Sequence, residues 1–201
     1  MSSTFLDFLP KSRLYPLTDR RLSGLSHAEQ VSRLSEAGAT LVQLREKALS
    51  PLEFHTEAAA ALVVARKRGV RIIVNDRVDI ALAIKADGVH LGQDDLPPDV
   101  ARRLLGAEAI IGFSTHSLEQ AQLAAKMPVD YVAIGPIFET STKGTTDSPV
   151  GLQKLSLIRE ALGTVPLVAV GGITSLNRQE VLDAGADAVA VISDIWPPKT
   201  Q

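Results

Sequence analysis

The chain has 201 residues, of which 45% are hydrophobic and 22% charged, and its formal net charge is −2. These values predict one soluble domain over residues 1–201, and the absence of a basic excess argues against a nucleic-acid partner. No apolar run reaches the roughly 18 residues that span a bilayer, and residues 1–10 do not read as a secretory signal, so we expect a cytoplasmic protein without membrane contact. The lack of cysteine excludes disulfides, thiolate metal ligands and cysteine nucleophiles.

Short apolar runs alternate with helix-like stretches along most of the chain. The predicted strands are Arg13–Leu17, Leu41–Arg45, Val70–Val74, Gly88–Leu91, Ala109–Phe113, Tyr131–Ile134, Leu167–Val170 and Ala188–Ile192. The predicted helices are Ala28–Ala37, Leu52–Lys67, Val78–Ile84, Pro98–Leu105, Leu118–Lys126, Leu152–Leu162 and Asn177–Ala184. Because the runs lack strict alternation, we expect parallel strands that are buried on both faces. The pattern predicts an α/β fold, a small (β/α)8 TIM barrel, with a doubly wound open sheet as the alternative.

The two ends of the chain depart from a regular barrel. Residues 1–12 are predicted to form an N-terminal extension, and residues 194–201 a short tail that contains Pro197 and Pro198. Two prolines in so short a segment oppose a helix, so we expect the eighth helix to be short or missing. The resulting gap beside strands one and eight would then be covered by Phe5–Leu9 or by a partner subunit of a homo-oligomer.

Two carboxylates follow adjacent predicted strands, at the end of a barrel where chemistry takes place. Asp76 follows strand three, and Asp95 closes the Gly92–Asp95 segment after strand four. Each alone is more often a helix N-cap. Because the ends of neighbouring strands lie about 4.8 Å apart, however, the pair can reach one cation. Mg²⁺ typically takes one or two carboxylates and completes its shell with water and phosphate oxygens, so the pair predicts a magnesium site.

Cationic side chains surround this predicted metal site. Strand alternation places Gln43, Arg45 and Lys47 on one side of the segment after strand two. Arginine offers phosphate a planar fork, and lysine adds a movable charge. A solvated strand end is the alternative interpretation. The long polar loop over residues 135–144 carries Lys143 and is either a functional lid or a flexible surface loop.

A second anion site is predicted after strands seven and eight. Gly171 and Gly172 follow strand seven, and Ser193 follows strand eight. Barrels frequently bind phosphate there through backbone N–H groups, and glycine permits close approach. Thr140 and Thr142 are candidates for the same site. Two anion sites on one cavity suit a reaction that joins two small phosphorylated molecules.

Three further polar residues lie in or near predicted strands four and five. Ser114 is placed to contact a substrate ring, whereas His116, on the same loop, is more often structural than catalytic. His90 falls within a strand run and is expected to be a core residue with satisfied hydrogen bonds.

An ordered set of motifs resembles the thiamine phosphate synthase family from about Leu14 to Ser193. The set comprises Gln43-Leu44-Arg45-Glu46-Lys47, Asn75-Asp76-Arg77, Gly88-Val89-His90-Leu91-Gly92-Gln93-Asp94-Asp95, Gly112-Phe113-Ser114, Gly135-Pro136-Ile137-Phe138 with Thr140-Ser141-Thr142-Lys143, and Gly171-Gly172-Ile173. Any one motif is weak, but the ordered set is specific.

The resemblance implies a Mg²⁺-dependent transferase that joins an aminopyrimidine diphosphate to a thiazole phosphate and releases pyrophosphate. Under this resemblance the pyrimidine diphosphate is held by Gln43, Leu44, Arg45, Glu46, Lys47, Asn75, Ser114 and Lys143. The catalytic residues among these are Arg45, Lys47, Ser114 and Lys143, and the ligands of Mg²⁺ are Asp76 and Asp95. The thiazole phosphate is held by Thr140, Ser141, Thr142, Gly172, Ile192 and Ser193.

Two alternatives accompany this interpretation. A related thiazole tautomerase barrel shares several of the motifs but usually lacks the Gly92–Asp95 and Thr140–Lys143 patterns, and it would use His116 as acid and base. A non-catalytic barrel that binds phosphorylated metabolites is the other alternative. It is suggested by the short tail and by Asp194, which stands where the family usually has a small residue.

Overall fold

A computed structural model of the protein describes residues 4–140 and 148–196. Eight parallel strands close into a barrel in chain order, and β1 pairs with β8 through Leu14 opposite Val189. The strands are β1 (Leu14–Thr18), β2 (Leu41–Leu44), β3 (Arg71–Asn75), β4 (Gly88–Leu91), β5 (Ile110–Thr115), β6 (Tyr131–Ile134), β7 (Leu167–Val170) and β8 (Ala188–Val191). The predicted (β/α)8 barrel is confirmed, and the open sheet is excluded.

Helices surround the barrel and begin largely where the sequence predicts. They are α1 (Arg20–Ser23), α2 (His27–Glu36), α3 (Pro51–Arg68), α4 (Val78–Ile84), α5 (Pro98–Leu105), α6 (Leu118–Ala124), α7 (Gly151–Leu162) and α8 (Arg178–Asp183). Ser26 and Ser50 form capping boxes at α2 and α3, and Gly69 ends α3 in the left-handed conformation. Between β8 and Trp196 the chain forms no helix, as predicted. Within the two described ranges, no helix is long and apolar enough to cross a membrane.

The two ends of the chain close different parts of the barrel. Trp196 is buried, and its indole N–H donates to the Leu17 carbonyl oxygen at 3.2 Å, so the segment after β8 covers the barrel beside β1. A 3-10 helix over Phe5–Phe8 instead closes the opposite end of the barrel. There the Phe5 ring stacks on Tyr131 with centroids 4.0 Å apart. The Phe5–Leu9 segment therefore covers the N-terminal end of the barrel rather than a gap beside β1 and β8.

Three aspartates, here called the aspartate clips, fasten the N-terminal end of the barrel. Each comes one residue before an even-numbered strand, and its carboxylate accepts the backbone N–H of a residue at the start of the preceding strand. These hydrogen bonds join Asp87 to Ile72 at 2.8 Å, Asp130 to Ile111 at 2.7 Å and Asp187 to Leu167 at 2.8 Å. An arginine from the helix that comes before that preceding strand (α3, α5 or α7) pairs with each clip: Arg66 with Asp87, Arg102 with Asp130 and Arg159 with Asp187. Each clip charge is thus satisfied within the chain.

Candidate active site

A cavity of about 500 Å³ occupies the C-terminal end of the barrel. Tyr15 and Tyr131 form its floor, directly above Phe5. The predicted site residues that line this cavity are Gln43, Arg45, Lys47, Asn75, Asp76, Asp95 and Ser114. The structure therefore brings together residues from six strands and loops that are far apart along the chain.

Asp76 and Asp95 both face the cavity, and neither caps the helix that follows it. The helix after Asp76 has Arg77 at its N-cap position, and the helix after Asp95 has Pro97 there, both without a side-chain capping bond. Asp76 has a left-handed backbone (φ +63°), which is uncommon outside glycine but tolerated best by Asn and Asp. Its N–H donates to the His90 carbonyl oxygen at 2.8 Å, which ties the turn to β4. The N-cap interpretation is therefore wrong for both carboxylates.

The two carboxylates interact electrostatically. Burial raises the pKa of Asp95, and the negative charge of Asp76 raises it further, whereas the N–H of Gly92 and the charge of Lys47 oppose the shift. The Gly92 N–H donates to Asp95 Oδ2 at 2.7 Å, and Lys47 Nζ lies 2.5 Å from Asp76 Oδ2. A cation between the carboxylates would relieve their repulsion.

This donor set fits Mg²⁺ better than a metal with many protein ligands. Over residues 4–140 and 148–196, no group of three or more His, Cys, Asp or Glu side chains converges as a metal cage. Two carboxylates with open space beside them match the usual coordination of Mg²⁺, which keeps water and phosphate oxygens among its ligands. Asp76 and Asp95 would hold the ion.

Arg45 and Lys47 differ in how firmly they are held. The Arg45 guanidinium donates to Asp19 Oδ2 at 2.7 Å, and both side chains are nearly buried. The side chain of Lys47 is 55% exposed, so it can follow a ligand charge with less loss of packing. Arg45 is therefore a fixed cation and Lys47 an adjustable one.

Leu44 and Glu46 belong to the same motif, but their side chains lie outside the cavity lining. Leu44 is fully buried in the core. Glu46 Oε1 accepts the backbone N–H groups of Lys47 and Ala48 at 2.9 and 2.8 Å, and Oε2 lies 3.3 Å from His27 Nε2. Glu46 thus holds the turn that carries Lys47, and any contact of Leu44 or Glu46 with a ligand would use the main chain.

Five polar side chains join in one hydrogen-bonded line across the cavity floor. Gln43 Nε2 lies 3.2 Å from the Tyr15 hydroxyl, which lies 3.1 Å from that of Tyr131. His90 joins Tyr131 through Nδ1 at 2.9 Å and Ser114 Oγ through Nε2 at 2.8 Å. His90 is buried and satisfied, as predicted, but it also lines the cavity. Ser114 lies within β5 rather than in the following loop, because the strand continues to Thr115.

A smaller cleft brings together the predicted phosphate residues after strands six, seven and eight. Its lining includes Thr140, Gly172, Ile192 and Ser193, and it adjoins the large cavity at Val170 and Ala190. Ser141, Thr142 and Lys143 lie outside the described residues.

Gly172 has a packing role that the sequence did not reveal. It has φ +66°, and a Cβ there would lie 2.7 Å from the Glu139 carbonyl oxygen. Glycine is thus required where the loop after β6 rests on the loop after β7.

Asn177, which sequence reasoning missed, holds the loop after β7. Its side-chain nitrogen donates to the Gly172 carbonyl oxygen at 3.0 Å, and its oxygen accepts the Thr174 N–H at 2.8 Å. The sequence feature that could have predicted this role is the position of Asn177 three residues after Thr174, because an Asn side chain at such a spacing can hydrogen-bond to the backbone of its own loop.

Asp194 and His116 are both engaged with main-chain groups. Asp194 Oδ2 accepts the Ser175 N–H at 3.0 Å, which directs its carboxylate to the loop after β7. His116 Nδ1 lies 2.7 Å from the Gly135 carbonyl oxygen, and its backbone N–H donates to Gln120. His116 thus fastens the end of β5 to the loop after β6, and it also lines the large cavity.

Comparison with known proteins matches the same span as the barrel. The family model described as thiamine monophosphate synthase matches residues 14–195. Thiamine-phosphate synthase of Chloroflexus aurantiacus is 46% identical over 184 residues, which cover 91% of this chain and 84% of that protein. The enzyme of the same name from Clostridium novyi is 47% identical over 184 residues, covering 91% and 90%.

A solved structure supports the same conclusion. Thiamine phosphate pyrophosphorylase from Pyrococcus furiosus superposes with a TM-score of 0.83 at 39% identity, covering 94% of this chain and 89% of that one. Together with the family match and the curated relatives, this likeness establishes that the chain is an enzyme of the thiamine monophosphate synthase family.

Proposed function

We propose that the enzyme condenses 4-amino-2-methyl-5-(diphosphooxymethyl)pyrimidine with thiazole phosphate to give thiamine phosphate and pyrophosphate. The observation that carries this assignment is the convergence of Asp76, Asp95, Arg45 and Lys47 on one side of a single cavity. A diphosphate needs cations and a hard metal, and these residues supply both requirements. The adjoining cleft at Gly172 and Ser193 suits the second, monophosphate substrate.

The reaction is a dissociative displacement at the pyrimidine methylene. The bond between the methylene carbon and the diphosphate oxygen breaks, and its electron pair leaves with pyrophosphate. The thiazole nitrogen then donates its lone pair to the carbocation-like carbon and forms the new C–N bond. Since this nitrogen carries no proton to remove, no strong protein base is required.

The residues of the chain stabilise charge as it grows on the leaving group. Arg45, held by Asp19, and the adjustable Lys47 are placed to bind the diphosphate oxygens, and Lys143 is proposed to join them from the loop after β6. Mg²⁺, when bound by Asp76 and Asp95, supplies further neutralisation of the diphosphate charge. Gln43, Asn75 and Ser114 are placed to orient the pyrimidine. Such preorganised charge is the main catalytic contribution expected here.

The second substrate is proposed to bind through its phosphate. Backbone N–H groups at Gly172 and Ser193, with the side chains of Thr140, Ser141 and Thr142, would hold the phosphate, and Ile192 would pack beside it. Asn177 keeps the Gly172–Thr174 turn in place for this purpose.

One assay tests the proposal. The protein is mixed with Mg²⁺ and both substrates, and thiamine phosphate and pyrophosphate are quantified. Equal amounts of the two products are expected, and omission of the thiazole phosphate should abolish thiamine phosphate formation. A well-folded protein that releases neither product would contradict the proposal.

A further inference from the structure

The hydrogen-bonded line at the cavity floor has a direction. It runs from Gln43 in β2 through Tyr15, Tyr131 and His90 to Ser114 in β5. The first four side chains are at most 8% exposed. Buried polar groups of this kind each need a partner, so the hydrogens are expected to be arranged consistently along the whole line.

The amide of Gln43 sets the first step. Its nitrogen can only donate, so the Tyr15 oxygen accepts. The Tyr15 hydrogen cannot go to that nitrogen, which leaves the Tyr131 oxygen, 3.1 Å away, as its acceptor. Burial raises the pKa of both phenols, so each keeps its single hydrogen. The Tyr131 hydrogen is then directed to His90 Nδ1.

The tautomer of His90 then determines which group donates in its hydrogen bond with Ser114. A neutral imidazole that accepts at Nδ1 carries its hydrogen on Nε2, and Nε2 lies 2.8 Å from Ser114 Oγ. Ser114 therefore accepts from His90, which leaves its own hydrogen to be donated to another group, and both residues line the cavity.

Gly112 makes room for this arrangement. A Cβ at that position would lie 2.0 Å from Cζ of Tyr131 and 2.3 Å from its hydroxyl oxygen. Any larger residue would displace the phenol that fixes the His90 ring, which gives a physical reason for glycine two positions before Ser114.

We propose that His90 is a positioning residue that makes Ser114 a hydrogen-bond donor toward the substrate. A donor at this position selects a heteroaromatic ring that presents a nitrogen lone pair, and it disfavours an exocyclic amino group in the same place. This inference rests on the proposed function, because it takes the ligand near Ser114 to be the aminopyrimidine.

The tautomer of His90 tests the proposal without any turnover. The four histidines are labelled with ¹⁵N, and the His90 signals are identified by their loss in His90→Gln. At neutral pH we expect a neutral ring with hydrogen on Nε2 and a lone pair on Nδ1. Hydrogen on Nδ1, or on both nitrogens, would overturn the proposal.

A matched pair of variants extends this test to substrate binding. Tyr131→Phe removes the donor to His90, whereas Tyr15→Phe removes a hydroxyl of equal size one step earlier. Tyr131→Phe should raise the KM for the pyrimidine diphosphate about tenfold and leave the KM for thiazole phosphate unchanged. Tyr15→Phe should raise the KM for the pyrimidine diphosphate only about twofold. Equal effects of the two variants, or a parallel rise in both KM values, would contradict a positioning role.

The two outcomes separate this inference from the proposed function. The expected tautomer in a protein that performs no condensation contradicts the function. Condensation by a protein with the opposite tautomer contradicts the role of His90 alone.

Discussion

The two ends of the barrel use aspartate in opposite ways. At the N-terminal end, each clip carboxylate accepts a backbone N–H and pairs with an arginine, as Asp87 does with Ile72 and Arg66. At the C-terminal end, Asp76 and Asp95 lie beside each other in an open cavity, and burial and the negative charge of Asp76 raise the pKa of Asp95. Asp76 and Asp95 also have partners, Lys47 Nζ and the Gly92 N–H, but the two carboxylates still repel each other, and a cation would relieve that repulsion. The clip carboxylates, by contrast, are satisfied by the groups of the fold that they hold together.

The largest expected effect separates Asp76 and Asp95 from their exposed neighbour Asp94. Asp76→Ala or Asp95→Ala should lower kcat/KM by about 100-fold or more, because the charge on the leaving pyrophosphate loses its metal. Asp94→Ala is the matched control and should change the rate several-fold at most. Steady-state kinetics at saturating Mg²⁺ measures all three, and equal small effects would mean that the metal assignment is wrong.

The next effect concerns the cation on the loop after β6. Lys143→Ala should raise the KM for the pyrimidine diphosphate about tenfold, because one charged contact to phosphate is lost. The KM for thiazole phosphate should stay within about twofold. Unchanged values for both substrates would contradict the proposed role of Lys143.

At the opposite end of the barrel, Asp87→Asn should affect stability and spare activity. The Asp87 carboxylate accepts the Ile72 N–H and forms ion pairs with both Arg66 and Arg71. We expect a loss of about 1–3 kcal/mol in the free energy of unfolding, since the two arginines are half-exposed and water screens them. Urea unfolding gives this value. A matching loss of kcat/KM in folded protein would show that the two ends are not independent.

The smallest effect is a dependence of stability on pH that arises from His27. Burial lowers the pKa of His27, and Arg20 lowers it further, although Glu46 and Glu57 oppose the shift. Because the unfolded chain takes up the proton more readily, the free energy of unfolding should fall as the pH drops below about 6.5. His27→Gln should flatten this slope, while His55→Gln, the control, should retain it. An identical slope in both variants would contradict the prediction.

Much of the fold could be predicted from the sequence, because strands and helices depend largely on local patterns of apolar and capping residues. The apolar runs predicted all eight strands, and most helices begin within a residue of the predicted start because Ser26 and Ser50 are N-cap residues of ordinary local pattern. The clips were missed, since an aspartate before a strand carries no local sign that its partner is a backbone N–H of the preceding strand. The position of Trp196 beside β1 was missed for the same reason, because it depends on barrel closure.

The sequence predicted which residues lie at the candidate site better than it predicted the hydrogen bonds between them. Alternation and strand order placed Asp76, Asp95 and Arg45 correctly at one cavity. Glu46 contacts His27, which lies 19 positions away in the sequence, and His90 contacts Ser114, which lies 24 positions away. No local sequence pattern predicts contacts over such separations. Contacts across strands need the closed barrel before they can be seen.

The central claim is that the carboxylates of the cavity bind a diphosphate through Mg²⁺ and that those of the clips do not. Calorimetric titration of pyrophosphate, with and without Mg²⁺, tests it most directly on the wild type, Asp95→Asn and Asp87→Asn. We predict that Mg²⁺ strengthens binding at least about tenfold in the wild type and in Asp87→Asn, and that this gain is lost in Asp95→Asn. Equal binding with and without Mg²⁺ in the wild type, or an undiminished gain in Asp95→Asn, would contradict the claim.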